Sequence, residues 1–174
     1  MNPETSLLRR IKLFTWIFIV GLVLSGATAI PLQWELDVIT KVLGISGATS
    51  AETANGLQHW LLKVREGLDD TYAKYPFIAY GTDWLAFGHF MIALVFVGAL
   101  RDPVRNKWLY AFGMLACVAL VPYALIMGQL RGIPIYWGLI DISFGVFGFI
   151  PVYLCHKWVS QVEALRKTHL VVSK

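Results

Sequence analysis

Four stretches of this chain, 13–30, 84–100, 108–127 and 135–155, are apolar around their whole circumference rather than along one stripe. Each falls within the roughly 17–25 residues that a helix needs to cross the hydrocarbon core of a bilayer. The pattern predicts an all-α protein, a four-helix transmembrane bundle with a helical extracytoplasmic cap between spans 1 and 2. The chain reads as a single integral membrane domain over 1–174.

Between 31 and 83 the pattern changes. Leu36, Ile39 and Leu43 make a short apolar stripe that stops at Gly44, and the Gly and Ser residues around Ile45 to Ser50 read as a turn. After Ser50, which suits an N-cap, Ala54, Leu57, Leu61, Val64 and Leu68 recur at alternating spacings of three and four, the mark of one helical face. That helix should end near Tyr75, because the residue before a proline is driven out of the helical region. Its stripe is expected to bury against the membrane surface, the outer ends of the bundle or a partner subunit. Tyr72, Tyr75, Phe77, Tyr80 and Trp84 form an aromatic cluster at the level where such rings favour the membrane–water interface. Asp83 is expected to cap the second span. Asp102 followed by Pro103 is expected to cap and open the third, and Pro134 to open the fourth. His59 lies off the apolar stripe and reads as a solvated surface residue.

Composition agrees with the pattern: 57% of the 174 residues are hydrophobic and 15% charged, against roughly 25% charged in soluble domains. The net charge of +4 does not suggest nucleic acid, because the basic residues fall in short clusters beside the apolar runs. Such clusters orient a membrane protein. With the amino terminus inside, Arg9, Arg10, Lys12, Arg101, Arg105, Lys107, Lys157, Arg166, Lys167 and Lys174 are cytoplasmic. Lys41, Lys63, Arg65, Lys74 and Arg131 are outside, a division of 10 against 5. Both termini are therefore expected in the cytoplasm. The first run, basic at its start and ending in Ala27-Thr28-Ala29, has the outline of a signal peptide. It is long for a signal core, and a retained helix is expected.

Cys117 and Cys155 belong to no CxxC pair, and both read as buried free thiols. There is no GxSxG, HExxH, phosphate loop or haem-spaced His pair. The sequence leaves the cofactor open, and no metal site is expected, since two candidate ligands are too few for zinc.

Candidate chemistry lies in a polar layer within the spans. Gly138, Asp141, Gly145 and Gly148 share one face of the fourth span, and Ala86, His89 and Ala93 repeat that arrangement in the second. Small residues on one stripe let membrane helices approach closely, so Asp141 is expected to point into the bundle. At 1.5 Å per residue, His89 and Asp141 lie roughly 8–9 Å below the same face, which suggests that their faces meet or line one cavity. Ser25 and Tyr123 fall near that level, and Arg131 sits at its mouth, where it suits an anion or Asp83. Ionisable groups inside a membrane usually mark function. An imidazole beside a carboxylate can shuttle a proton or orient a base, yet a buried His–Asp hydrogen bond also serves simply to fix helix register.

The stretches Tyr75-Pro76-Phe77, Tyr80-Gly81-Thr82-Asp83-Trp84, Arg101 through Trp108 and Arg131-Gly132-Ile133-Pro134 resemble uncharacterised four-span integral membrane proteins of Bacteroidota-type bacteria. The resemblance implies a bacterial cytoplasmic membrane and carries no activity. Four spans with a large first outer loop also resemble quinone-linked thiol oxidoreductases, but the cysteine pairs of that chemistry are missing.

The leading functional expectation is a non-enzymatic binding or accessory protein, in contact with the lipid bilayer. It would hold a lipid-like or other small ligand, or a partner subunit, under the outer cap. The alternatives are a proton- or cation-coupled transporter, which with so few spans needs a homo-oligomer, and an intramembrane enzyme using His89 and Asp141.

Overall fold

The computed structural model describes residues 3–45 and 56–172. The element order is α1 (Pro3–Thr28), α2 (Leu32–Val42), α3 (Gly56–Lys74), a 3-10 turn (Pro76–Ala79), α4 (Tyr80–Arg101), α5 (Lys107–Leu130) and α6 (Ile135–Val172), with no strand among the described residues. Four segments are long and apolar enough to cross a membrane: Pro3–Thr28, Pro76–Arg101, Lys107–Leu130 and Ile135–Thr168. In each, about a fifth of the most apolar 18-residue window is buried inside the protein. The remaining apolar surface would be untenable in water and suits lipid. The chain is a multi-pass membrane protein.

The chain forms two compact units, 1–22 with 91–174, and 23–90. In the first, parts of four helices share one core. Ile11 and Ile19 come from α1, Phe96 and Ala99 from α4, Leu109 and Tyr110 from α5, and Val152, Cys155, Val159 and Val162 from α6. Gly113 lets α5 sit against Phe96 and Val152, since a Cβ there would come within 3.2 Å of both side chains. Gly145 brings α6 to the backbone of α5, where its Cβ would stand 2.8 Å from the Cys117 carbonyl oxygen. Gly148 packs on the Cys117 thiol. The small-residue face of the fourth span therefore makes a close helix crossing, though only at its Gly145 and Gly148 end. At Gly138 a Cβ would meet nothing within 4 Å.

Helix α6 continues well beyond the apolar run that ends at Cys155. Val152, Cys155, Val159 and Val162 keep one buried stripe, while Lys107 pairs with Glu163 at 2.6 Å and Arg166 with Glu4 at 2.9 Å. A helix stops where its capping and packing stop, not where its hydropathy falls.

Two caps differ from expectation. Helix α4 begins at Tyr80, so Asp83 lies inside its first turn rather than at the N-cap, where it still complements the helix dipole. Asp102 accepts a hydrogen bond from the Arg105 amide at 3.0 Å and so closes the α4–α5 turn, while the residue capping α5 is Asn106. The Asn106 side-chain amide donates to the Gly98 and Asp102 carbonyls, which also accept the Asp102 and Asn106 backbone amides, and so ties the turn to the end of α4.

The second unit holds α2 and α3, on which Leu36, Thr40, Leu61 and Leu62 are buried, as are Ile45 just after α2 and Ala86 on α4. Helix α2 stops at Gly44, whose φ of 68° is left-handed, as expected of a C-terminal glycine. Helix α3 ends one residue before Tyr75. Arg65 of α3 pairs with Asp37 of α2 at 2.7 Å, and Gln33 donates to Asp69 at 3.0 Å. The expected α3 stripe holds at Leu61, which is buried, and at Val64 and Leu68, which are half-buried; Leu62 widens it, and Leu57 at the helix start is exposed. His59 is half-buried rather than solvated. The expected Ser50 cap and Ala54 lie outside the described residues.

Candidate functional site

His89 sits where α1 crosses α4. A Cβ on Gly26 would come within 2.9 Å of the His89 Cβ and 3.0 Å of the Ala86 carbonyl oxygen. The crossing glycine is therefore Gly26, not Gly21, around which a Cβ would meet nothing within 4 Å. Ala86 and Ala93 are buried, so the small flanks of His89 do face protein. The His89 Nδ1 lies 2.8 Å from the Leu85 carbonyl oxygen. A carbonyl only accepts, so Nδ1 donates, and in the neutral ring Nε2 is left as an acceptor.

Asp141 corrects the expectation for the fourth span. It is exposed, not turned into protein, and forms no hydrogen bond or ion pair with its side chain among the described residues. The physical reason lies in the glycine face. Close packing starts at Gly145, one turn further along α6, while at Gly138, on the other side of Asp141, a Cβ would meet nothing within 4 Å. Asp141 belongs to the first unit and His89 to the second.

The other layer residues are peripheral. Tyr123 is 67% exposed. Ser25 is half-buried, and its carbonyl accepts from the Thr28 hydroxyl at 3.1 Å. Arg131 is exposed and forms the C-cap of α5. Tyr80, Asp83, Trp84 and Phe87 line an open groove along the start of α4. Its rings meet edge-on, Tyr80 on Trp84 at 5.9 Å and Trp84 on Phe87 at 5.5 Å. No group of three or more metal-ligating side chains occurs among the described residues.

The best-satisfied polar cluster is one that sequence reasoning missed. Thr15, Tyr110 and Cys155 are all essentially inaccessible. The Thr15 hydroxyl donates to the Ile11 carbonyl at 2.8 Å, so its 2.8 Å contact with Tyr110 must have the phenol as donor. The Cys155 thiol donates to the same carbonyl at 3.5 Å. Both cysteines are free, Cys155 buried and Cys117 half-buried. A threonine in an apolar run bonds its own helix, so nothing in the sequence marks Thr15 as tied to two other helices.

This wiring predicts an asymmetry. Thr15→Val strands the buried Tyr110 hydroxyl and should cost about 1–3 kcal/mol. Tyr110→Phe leaves Thr15 bonded to Ile11 and should cost less. Denaturation in bicelles by a harsh detergent measures both, and a double-mutant cycle should return a coupling of about 0.6–1.7 kcal/mol.

No family model, curated protein or solved structure matches the chain.

Proposed function

We propose that this is a non-enzymatic binding or accessory protein of a bacterial cytoplasmic membrane, with both termini in the cytoplasm. The first half of α6 takes a small lipid-like ligand or a transmembrane segment of a partner subunit at Asp141. One observation carries this reading: a carboxylate within an apolar span, exposed on the protein and unpaired among the described residues. The cost of a charged group in a span reaches about 2.5–3.5 kcal/mol at its centre and is smaller nearer the face, where Asp141 lies; a cationic or hydrogen-bonding ligand offsets it. The orientation rests on the 10-to-5 division of Lys and Arg.

A site kept for function and a residue kept for stability respond oppositely to Asp141→Leu. For the isolated chain in bicelles, the proposal predicts that this change leaves stability unchanged or raises it. A clear loss of stability would mean that Asp141 holds the fold together, and would overturn the reading.

A further inference from the structure

Helix α2 is more apolar on its outward side than on its inward side. Inward it presents Leu36 and Thr40 to the core, and Asp37 and Gln33 to Arg65 and Asp69 of α3. Outward it presents Trp34 at 65% exposure and Val42 at 79%, with Val38 between them and Ile39 beside them. Trp34, Val38 and Val42 recur every fourth residue and so form one face. The exposed side of α3 is different in kind: Lys63, Glu66 and Asp70 face outward. Water suits the second surface and not the first.

Chain continuity decides what covers α2. Helix α1, a membrane span, ends at Thr28, and α2 starts at Leu32. The link is tight, with the Ala29 and Ile30 amides bonded back to Gly26 and Ala27. Helix α2 therefore begins at the level where a span leaves the hydrocarbon. We infer that α2 is an interfacial helix. It lies in the plane of the leaflet that α1 exits, with Trp34, Val38, Ile39 and Val42 sunk toward the acyl chains. Such helices bury their apolar face roughly 5–10 Å into the headgroup–acyl boundary. Within α2 the charges are Glu35, Asp37 and Lys41. This is no polybasic face, so burial of apolar side chains drives the contact and anionic lipid is not required.

The test places a spin label at Val42→Cys and, separately, at Lys63→Cys, in the full chain carrying Cys117→Ala and reconstituted in phosphatidylcholine nanodiscs. The expected result is a higher ratio of oxygen to aqueous nickel-chelate collisions at residue 42 than at residue 63. In the unlabelled protein, the emission lost on Trp34→Phe should be quenched by bilayers brominated near the top of the acyl chains, and not by iodide. Nickel-chelate access at residue 42 equal to that at residue 63, with iodide quenching of Trp34, would overturn the inference. So would shielding from both phases accompanied by a doubled mass, which would assign the face to a second copy of the chain.

Discussion

Gly145→Leu should force α5 and α6 apart. The first atom of any side chain at residue 145 would stand 2.8 Å from the Cys117 carbonyl oxygen, with a Leu120 methyl 3.4 Å away. The nearer obstacle is helix backbone, which cannot rotate aside as a side-chain tip can. One turn on, Gly148 lies against the Cys117 thiol and Phe18, so relief by sliding α6 is blocked as well. Overpacking of this kind costs about 1–3 kcal/mol. The loss should appear as a lower midpoint in denaturation by harsh detergent. Gly138→Ala is the matched control. It has open space around its Cβ, and replacing glycine within a helix should leave stability unchanged or raise it by about 0.5–1 kcal/mol. An equal loss from Gly138→Ala would mean that the close crossing extends over Gly138, and no loss from Gly145→Leu would mean that the small-residue face is not a packing surface.

Phe96→Ala should be the most damaging single truncation in the four-helix core. Phe96 is fully buried, packs on Phe18 at 4.7 Å and on Tyr110 at 6.2 Å, and fills the space that Gly113 leaves open. In a bilayer the transfer part of the penalty largely vanishes, because lipid tails are as apolar as the core. The cavity part remains. At about 24 cal/mol per Å³, a void on the order of 100 Å³ costs about 2 kcal/mol. Phe87→Ala, an exposed ring on the same helix, should cost far less. The same denaturation assay compares them, and a comparable loss at both positions would contradict the placement of the core.

What the sequence made legible follows from how each signal works. The spans were readable because hydrocarbon excludes charge over a whole helix length, a constraint that needs no knowledge of neighbours. The ends of α2 and α3 were readable because Gly44 and Pro76 act through local backbone geometry. Helix direction was harder: Ile39 and Leu43 belong to an apolar stripe, yet they are exposed, because in a membrane protein an apolar face has two possible solvents. The extension of α6 past Cys155 was hidden because its later turns are held by ion pairs to α1 and α5, partners far away in sequence.

The candidate site divides in the same way. The close approach at Gly145 and Gly148 and the small flanks of His89 were visible as spacing. The exposure of Asp141 was not, since spacing says which residues share a face but not how far along it the neighbouring helix stays in contact. The Thr15–Tyr110–Cys155 cluster was hidden for a related reason. It needs three helices in register, and each of its residues is unremarkable alone. It also makes α1 a core helix, since Ile11, Thr15 and Ile19 are buried. Removing that helix would uncover Tyr110 and Cys155.

The central claim is that Asp141 is met by something other than this chain's own helices. Native mass spectrometry of the full chain released from mild detergent tests it most directly, comparing wild type with Asp141→Leu. The proposal predicts a wild-type species that carries a small molecule, lipid or partner subunit, and an Asp141→Leu species that has lost it. A bare chain mass, identical in both, would contradict it.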